Sequence, residues 1–203
     1  MTSAFSSTNP VFGENASALP DSWREIGLRT AALGFDMPSE ADTGAMLRLL
    51  AASKPGGRLL ELGTGTGLAT ACLAAGMDAR ATLVSVDTDP RVQAVAREAL
   101  SHDPRVVFTV ADGLAFVCGQ ARGFFDLIFA DAWPGKYEGL DETLALLRPG
   151  GLYVVDDMLP QPNWPDNHQA RVDDLTARLT SHPDLATASL SWASGLIIAA
   201  RRS

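Results

Sequence analysis

The chain has 203 residues, 46% of them apolar and 20% charged, with a formal net charge of -8 and a pI near 4.8. That length suits one domain with a single large core. The acidity disfavours a general binder of nucleic acid or anionic membrane, and no apolar run approaches a membrane span.

Residues 1–20 are rich in Ser, Thr, Asn, Ala and Pro and are expected to form a flexible arm, leaving 21–203 as a single domain. With no basic residue before Arg24, the arm does not read as a secretory signal. Cys72 and Cys118 lie far apart in apolar stretches, form no C-x-x-C pair, and are expected to pack as small hydrophobes in a reducing compartment. The expected location is cytoplasmic.

A first helix is predicted from Asp21 to about Leu33, and Gly34 to Pro38 break it. Ser39 is the predicted cap of a second helix, which Pro55-Gly56-Gly57 ends. Strands and helices then alternate. A strand at Arg58–Leu62 is followed by a helix to about Gly76, and a strand at Ala81–Val86, closed by Asp87, by a helix from about Pro90 to Leu100. A third strand, Arg105–Val110, precedes a short helix at Leu114–Cys118. A fourth, Phe125–Ala130, precedes a helix from about Tyr137 to Leu147. Pro149-Gly150-Gly151 should turn into a fifth strand, Leu152–Val155, followed by a long helix over about Asn167–Thr180. Two last strands, about Leu185–Trp192 and Leu196–Arg201, meet at a turn containing Ser194-Gly195. Apolar strands alternating with helices imply an α/β fold with a mostly parallel sheet covered on both faces, and a closing hairpin must be antiparallel. The expected sheet has seven strands, one of them reversed.

The organising stretch is Arg58 to Thr70, RLLELGTGTGLAT, which reads as strand, glycine turn and helix. Its glycines permit a sharp turn and close approach of a ligand to bare backbone, and the helix begins with free N–H groups. Dinucleotide sites use G-x-G-x-x-G, whereas this turn is G-x-G-x-G with Glu61 two residues before Gly63. A carboxylate there is awkward beside a diphosphate but suits a ligand with an ammonium and a sulfonium. The segment resembles motif I of the class I S-adenosylmethionine-dependent methyltransferases, whose Rossmann-like seven-stranded sheet ends in such a hairpin.

Ligands of open α/β sheets lie beyond the carboxyl ends of the strands. Those ends carry Glu61 with Gly63, Thr64, Gly65 and Gly67, then Asp87, Asp112, Asp131, and the pair Asp156-Asp157. Asp87, beside Thr88, is placed either to accept both ribose hydroxyls or to cap the next helix, for which Asp89 is the better candidate. Asp112, with Ala111, is placed either to accept from an adenine amino group or to sit in a solvated turn. Asp131, Asp156 and Asp157 offer three oxygen donors suited to magnesium or another hard divalent ion, or else form a solvated or substrate-facing acidic edge.

ELGTGTG, VSVDTDP, VADG, FADAWPGKY, LLRPGG and VVDDMLP occur in the order seen in the catechol and caffeoyl-CoA O-methyltransferase family, which the chain resembles from about Met37 to Arg201. The resemblance implies S-adenosylmethionine as cofactor and a divalent metal at Asp131, Asp156 and Asp157, the last standing where the family usually has Asn. It also implies that Met37 and Ser39 line the methionine end of the cofactor. Trp133 matches an aromatic near the adenine, or is core. The family's catalytic lysine falls at Pro134 here; Lys136, two residues on, either reaches back as the base or lies on the surface. His168 is a second base candidate, though a loop histidine is more often exposed.

The expected function is therefore an S-adenosylmethionine-dependent O-methyltransferase, metal-assisted, acting on a small aromatic acceptor, with Lys136 and Asp131 as catalytic residues. The alternatives are a metal-independent methyltransferase on a nitrogen or a tRNA nucleoside, and a cofactor-binding protein without activity. A nicotinamide oxidoreductase is disfavoured by the glycine spacing. The two helices before Gly57 exceed what the sheet needs, and such a region often pairs subunits or covers substrate in related enzymes, so a homodimer is expected.

Overall fold

The computed structural model describes residues 19–161 and 164–203, so nearly all of the expected N-terminal arm lies outside the described residues. Two helices, α1 (Ser22–Leu33) and α2 (Ala41–Ala52), precede the alternating part of the chain. There follow β1 (Arg58–Leu62), α3 (Leu68–Gly76), β2 (Thr82–Asp87), α4 (Pro90–Ala99), β3 (Val106–Val110), α5 (Gly113–Cys118), β4 (Phe125–Ala130), α6 (Trp133–Lys136) and α7 (Leu140–Ala145). The chain closes with β5 (Leu147–Val155), α8 (His168–Ser181), β6 (Leu185–Leu190) and β7 (Leu196–Arg201).

One seven-stranded sheet has the order β3-β2-β1-β4-β5-β7-β6. β1 to β5 run parallel, and β7 is antiparallel to both β5 and β6. The predicted fold, with its single reversed strand, is the observed one. Successive residues of a strand face opposite sides. Leu60, Ile128 and Tyr153 thus pack toward α5, α7 and α8, while Leu59, Leu127 and Val154 pack toward α2 and α3. Burial on both faces is why these strands read as unbroken apolar runs. α1 joins through Ile26, which packs in a satellite cluster with Leu68, Ala71 and Leu100. After β3 at one side of the sheet, the chain returns to β4 on the other side of β1, so a crevice opens beyond the ends of β1 and β4.

Four expectations need correction. Ser39 does not cap α2: the cap position is Glu40, with no side-chain hydrogen bond, and Ser39 turns toward Asp131 instead. The helix expected from about Tyr137 to Leu147 is shorter, α7 over Leu140–Ala145, because Gly139 (φ 65°) delays its start; ahead of it lies the short α6, which Pro134 (ψ 131°) and Gly135 (φ 89°) carry out of helical geometry. β5 starts at Leu147, which pairs with Phe125 before the Pro149-Gly150-Gly151 stretch bulges and pairing resumes at Leu127 with Leu152. Cys72 is buried as expected, but Cys118, at the end of the short α5, is exposed.

Candidate active site

The glycine turn is held from three sides. Thr30 on α1 donates to Thr66 at 2.8 Å. Gly63 and Thr64 donate their backbone N–H groups to Val86 at the end of β2. Beneath the turn a buried polar chain runs from Gln93, which donates to Thr64 (3.0 Å), through the Thr64–Ser85 hydroxyl pair (2.6 Å), to Glu61. Glu61 is fully buried; its Oε2 accepts from Ser85 and Thr70, each at 2.5 Å, and its Oε1 has no partner among the described residues. Burial pushes its carboxyl up to about 8, against the two hydroxyl donors and helped by Asp131 and Asp87. Glu61 therefore lies behind the turn and fixes it from below.

The three glycines of the turn do different work. All have positive φ. A Cβ on Gly63 would meet the Asp131 carbonyl oxygen at 2.5 Å, and one on Gly67 would meet Ala96 on α4 at 2.4 Å, so both serve packing within the protein. A Cβ on Gly65 would meet only the Phe35 ring, at 3.5 Å. Gly65 thus offers its backbone to the crevice, and its N–H donates to Asp87 Oδ2 at 2.8 Å. The other Asp87 oxygen accepts from the Asp89 backbone, and it is Asp89 that caps α4 through Arg91 N–H. Thr88 is exposed beside it. Asp112 caps α5, accepting from Ala115 N–H at 2.8 Å, with Ala111 half-buried before it. Met37 is 66% exposed in the connection between α1 and α2.

The second half of the site starts where β4 ends. Asp131 N–H donates to Leu62, and the Asp131 carbonyl abuts Gly63, which ties this half to the glycine turn. Its Oδ2 lies 3.5 Å from the Ser39 hydroxyl and its Oδ1 lies 3.4 Å from Lys136 Nζ. Lys136 is only 4% exposed, and its Nζ is also 3.9 Å from Asp157 Oδ2. Lys136 therefore reaches back, because the kink at Pro134-Gly135 redirects the chain. Tyr153 pins that kink by donating its hydroxyl to the Gly135 carbonyl at 2.7 Å. Burial pulls the Lys136 ammonium down, but Asp131, Asp157 and Asp156 outweigh it and raise it above the ordinary lysine value. That direction favours the ammonium form of Lys136.

Asp156 is 2% exposed; its Oδ1 accepts from the Ser194 hydroxyl and from the Asp157 backbone N–H. Burial, then the Asp131 charge, pushes it up to about 7. Asp157 is half-buried with φ 59°, and burial raises it too, against the pull of Lys136. The Ser194-Gly195 turn of the closing hairpin also accepts the backbone N–H groups of Met158 and Leu159. Aromatic rings flank the cluster: Trp133 is 44% exposed, so it is not core, and meets Tyr137 edge-on at 5.9 Å. Arg171 lies over the Trp133 ring at 4.8 Å. His168 is 8% exposed, contrary to the exposed loop expected; the Tyr137 hydroxyl lies 3.1 Å from its Nε2, and Trp164 packs against it at 4.5 Å.

The sheet order is that of the Rossmann-like methyltransferase fold. Residues 60–158 match the family model of the methyltransferase domain. The chain is 33% identical over 123 residues to a catechol O-methyltransferase of Niastella koreensis, covering 57% of this chain and 56% of that protein. It spans about half the length of the curated relatives it matches. In fold it is similar to the O-methyltransferase TomG of Streptomyces achromogenes in complex with SAM, at TM-score 0.77 and 23% identity over 91% of each chain. It is equally similar to a cofactor-bound protein from MTB, at TM-score 0.78 and 25% identity over 91% of each chain. The chain resembles the class I S-adenosylmethionine-dependent methyltransferases of the catechol and caffeoyl-CoA O-methyltransferase group.

The residues fit S-adenosylmethionine: the open face of Gly65 is a cradle that a Cβ would fill, with the Asp87 carboxylate at its edge. They do not fit a divalent metal. Among the described residues no three His, Cys, Asp or Glu side chains form a group able to hold an ion, and this includes Asp131, Asp156 and Asp157. The expected metal set is thus not shown: Lys136 sits against two of the three acids, and Asp156 is turned toward Ser194. Ser194, Ser85, Gln93 and Thr66 are site residues that the sequence reading missed. Ser85 and Gln93 carried a signal, a polar residue between apolar neighbours, Val84 and Val86 for the one and Val92 and Ala94 for the other.

Proposed function

We propose that the protein is an S-adenosylmethionine-dependent O-methyltransferase acting on the hydroxyl of a small aromatic acceptor. The observation that carries the reading is the juxtaposition of the Gly65–Asp87 cradle with the buried Lys136–Asp131 pair at the crevice between β1 and β4. S-adenosylmethionine held there would supply an electrophilic sulfonium methyl. Asp87 would accept from the ribose hydroxyls and the Ala111–Asp112 backbone would flank the adenine. Ser39, Met37 and Thr64 would line the methionine end, with Trp133 at the adenine-side rim.

The chain's own groups account for activation of the acceptor. An acceptor hydroxyl over Lys136 would develop its negative charge beside a fixed ammonium, which stabilises an oxyanion without reorganisation. Its proton would pass to Asp157, half-buried and a better base than an ordinary carboxylate. The exposed Trp133 face and the Tyr137 and His168 rings support a flat aromatic acceptor. The small acceptor, the cytoplasmic location and the homodimer belong to the same proposal, and nucleic acid is not a proposed partner.

Calorimetry tests the cofactor. S-adenosylmethionine should bind, and Asp87→Ala should weaken it by about 1.5–3 kcal/mol, the scale for losing a charged hydrogen-bond partner. Unchanged affinity in Asp87→Ala would remove the ribose role. Tight NAD binding without S-adenosylmethionine binding would overturn the reading.

A further inference from the structure

We propose that the Lys136 ammonium is the resident cation of the acidic cluster, so that this site takes no divalent ion. The inference rests on the methyltransferase reading only for its catalytic consequence; its geometry stands alone. Asp131 Oδ1 and Asp157 Oδ2 lie 3.4 and 3.9 Å from Nζ, and the lysine side chain is almost wholly withdrawn from water. Two further oxygens of the cluster are engaged elsewhere: Asp131 Oδ2 faces the Ser39 hydroxyl, and Asp156 Oδ1 accepts twice, from Ser194 and from its neighbour's N–H. Magnesium needs an octahedron of oxygens at about 2.0–2.1 Å with room for several waters. A buried ammonium against two of its would-be ligands takes up the room and offsets part of the charge that would attract it.

The lysine is built into this place. Pro134 and Gly135 carry the chain out of helical geometry, the Gly135 N–H donates to Glu138, and the Tyr153 hydroxyl holds the Gly135 carbonyl. A Cβ on residue 135 would strike Leu62 at 2.5 Å, so the glycine and the kink belong together. A buried lysine survives only with compensating charge, and the Asp131 and Asp157 carboxylates beside it supply that charge. A single positive charge fixed covalently to the chain then does the electrostatic work on an acceptor oxygen that a dissociable ion would do elsewhere.

The test is Mn2+ titration of the whole protein, read by the electron paramagnetic resonance of free Mn2+, with S-adenosylmethionine affinity measured by calorimetry in chelator on the same samples. The wild type should take up no saturable Mn2+, and S-adenosylmethionine affinity should be the same with chelator or with magnesium. Lys136→Met, which keeps the stem and removes the charge, should gain a saturable Mn2+ site. Saturable Mn2+ binding by the wild type that Asp131→Asn abolishes would overturn the inference, as would a folded Lys136→Met that binds none. If Lys136→Met does not fold, the wild-type titration decides by itself. Loss of S-adenosylmethionine binding in both buffers would instead count against the methyltransferase reading and leave the cation assignment to the Mn2+ data.

Discussion

Two buried ionisable side chains of opposite kind dominate the site, and each has a measurable signature. Glu61 titrates in the unfolded chain near 4.5, but burial lifts it to about 8 in the fold. An acid raised in this way favours folding fully below its unfolded value, and that contribution drains away as pH rises through the folded one. Thermal melts between pH 5 and 8 should therefore show stability falling with pH, and Glu61→Gln should flatten the decline. An equal slope in the variant would show that Glu61 is already charged in the fold. For Lys136, Lys136→Met should lower kcat by about 10²–10³, the scale for removing one preorganised donor from a developing oxyanion. S-adenosylmethionine affinity should stay close to wild type in calorimetry. A loss seen only in cofactor affinity would mean that Lys136 holds the ligand and not the acceptor's charge.

At the scale of elements, the decisive piece is the broken helix between β4 and α7. A continuous helix from Trp133 would carry Lys136 on a face set by the regular turn. The kink at Pro134-Gly135 instead returns it to Asp131, five residues back. Gly135→Ala combines an unfavourable φ with a collision against Leu62. Backbone strain of this type costs about 1–3 kcal/mol. For a chain of this size each kcal/mol lost should lower Tm by about 2–4 °C. Activity should fall further than stability accounts for, because Lys136 moves with the kink. A scanning-calorimetry shift of that size with full kcat would separate the kink from catalysis. The closing hairpin matters for a related reason: its Ser194-Gly195 turn grips the segment after β5 and orients Asp156.

For the whole molecule, the crevice is created by the strand order and closed over by parts distant in sequence. α1 reaches the glycine turn through Thr30, and Trp192, beyond β6, donates its indole N–H to the Asp42 carbonyl in α2. No helix among the described residues is long and apolar enough to cross a membrane. Leu28 and Leu33 on α1 and Leu49 on α2 are exposed, at 68%, 48% and 65%. These are the surfaces we propose for subunit pairing. Light scattering across the micromolar range should give twice the chain mass, and Leu28→Glu should shift it to the monomer. A monomer mass for the wild type would reject the pairing.

The sequence by itself determined the seven strands, their direction and the glycine turn that follows the first of them. Those properties follow from local signals: apolar runs long enough for buried strands and a glycine turn opening a helix. It also raised Lys136 as a partner for Asp131, since Pro134 stands where the resembled family has its lysine. What each does was decided only in three dimensions. Lys136 is buried against Asp131 because Gly135 adopts φ 89° against Leu62, and it meets Asp157, which follows another strand. Asp156 looked free to bind a metal until Ser194, 38 residues away, turned toward it. Glu61 read as a ligand contact, and the fold makes it the base of a buried network with Thr70 and Ser85. Patterning along the chain reports which face is buried. The charge state of a carboxylate or an ammonium depends on what surrounds it in space, and those neighbours come from five different elements of the fold.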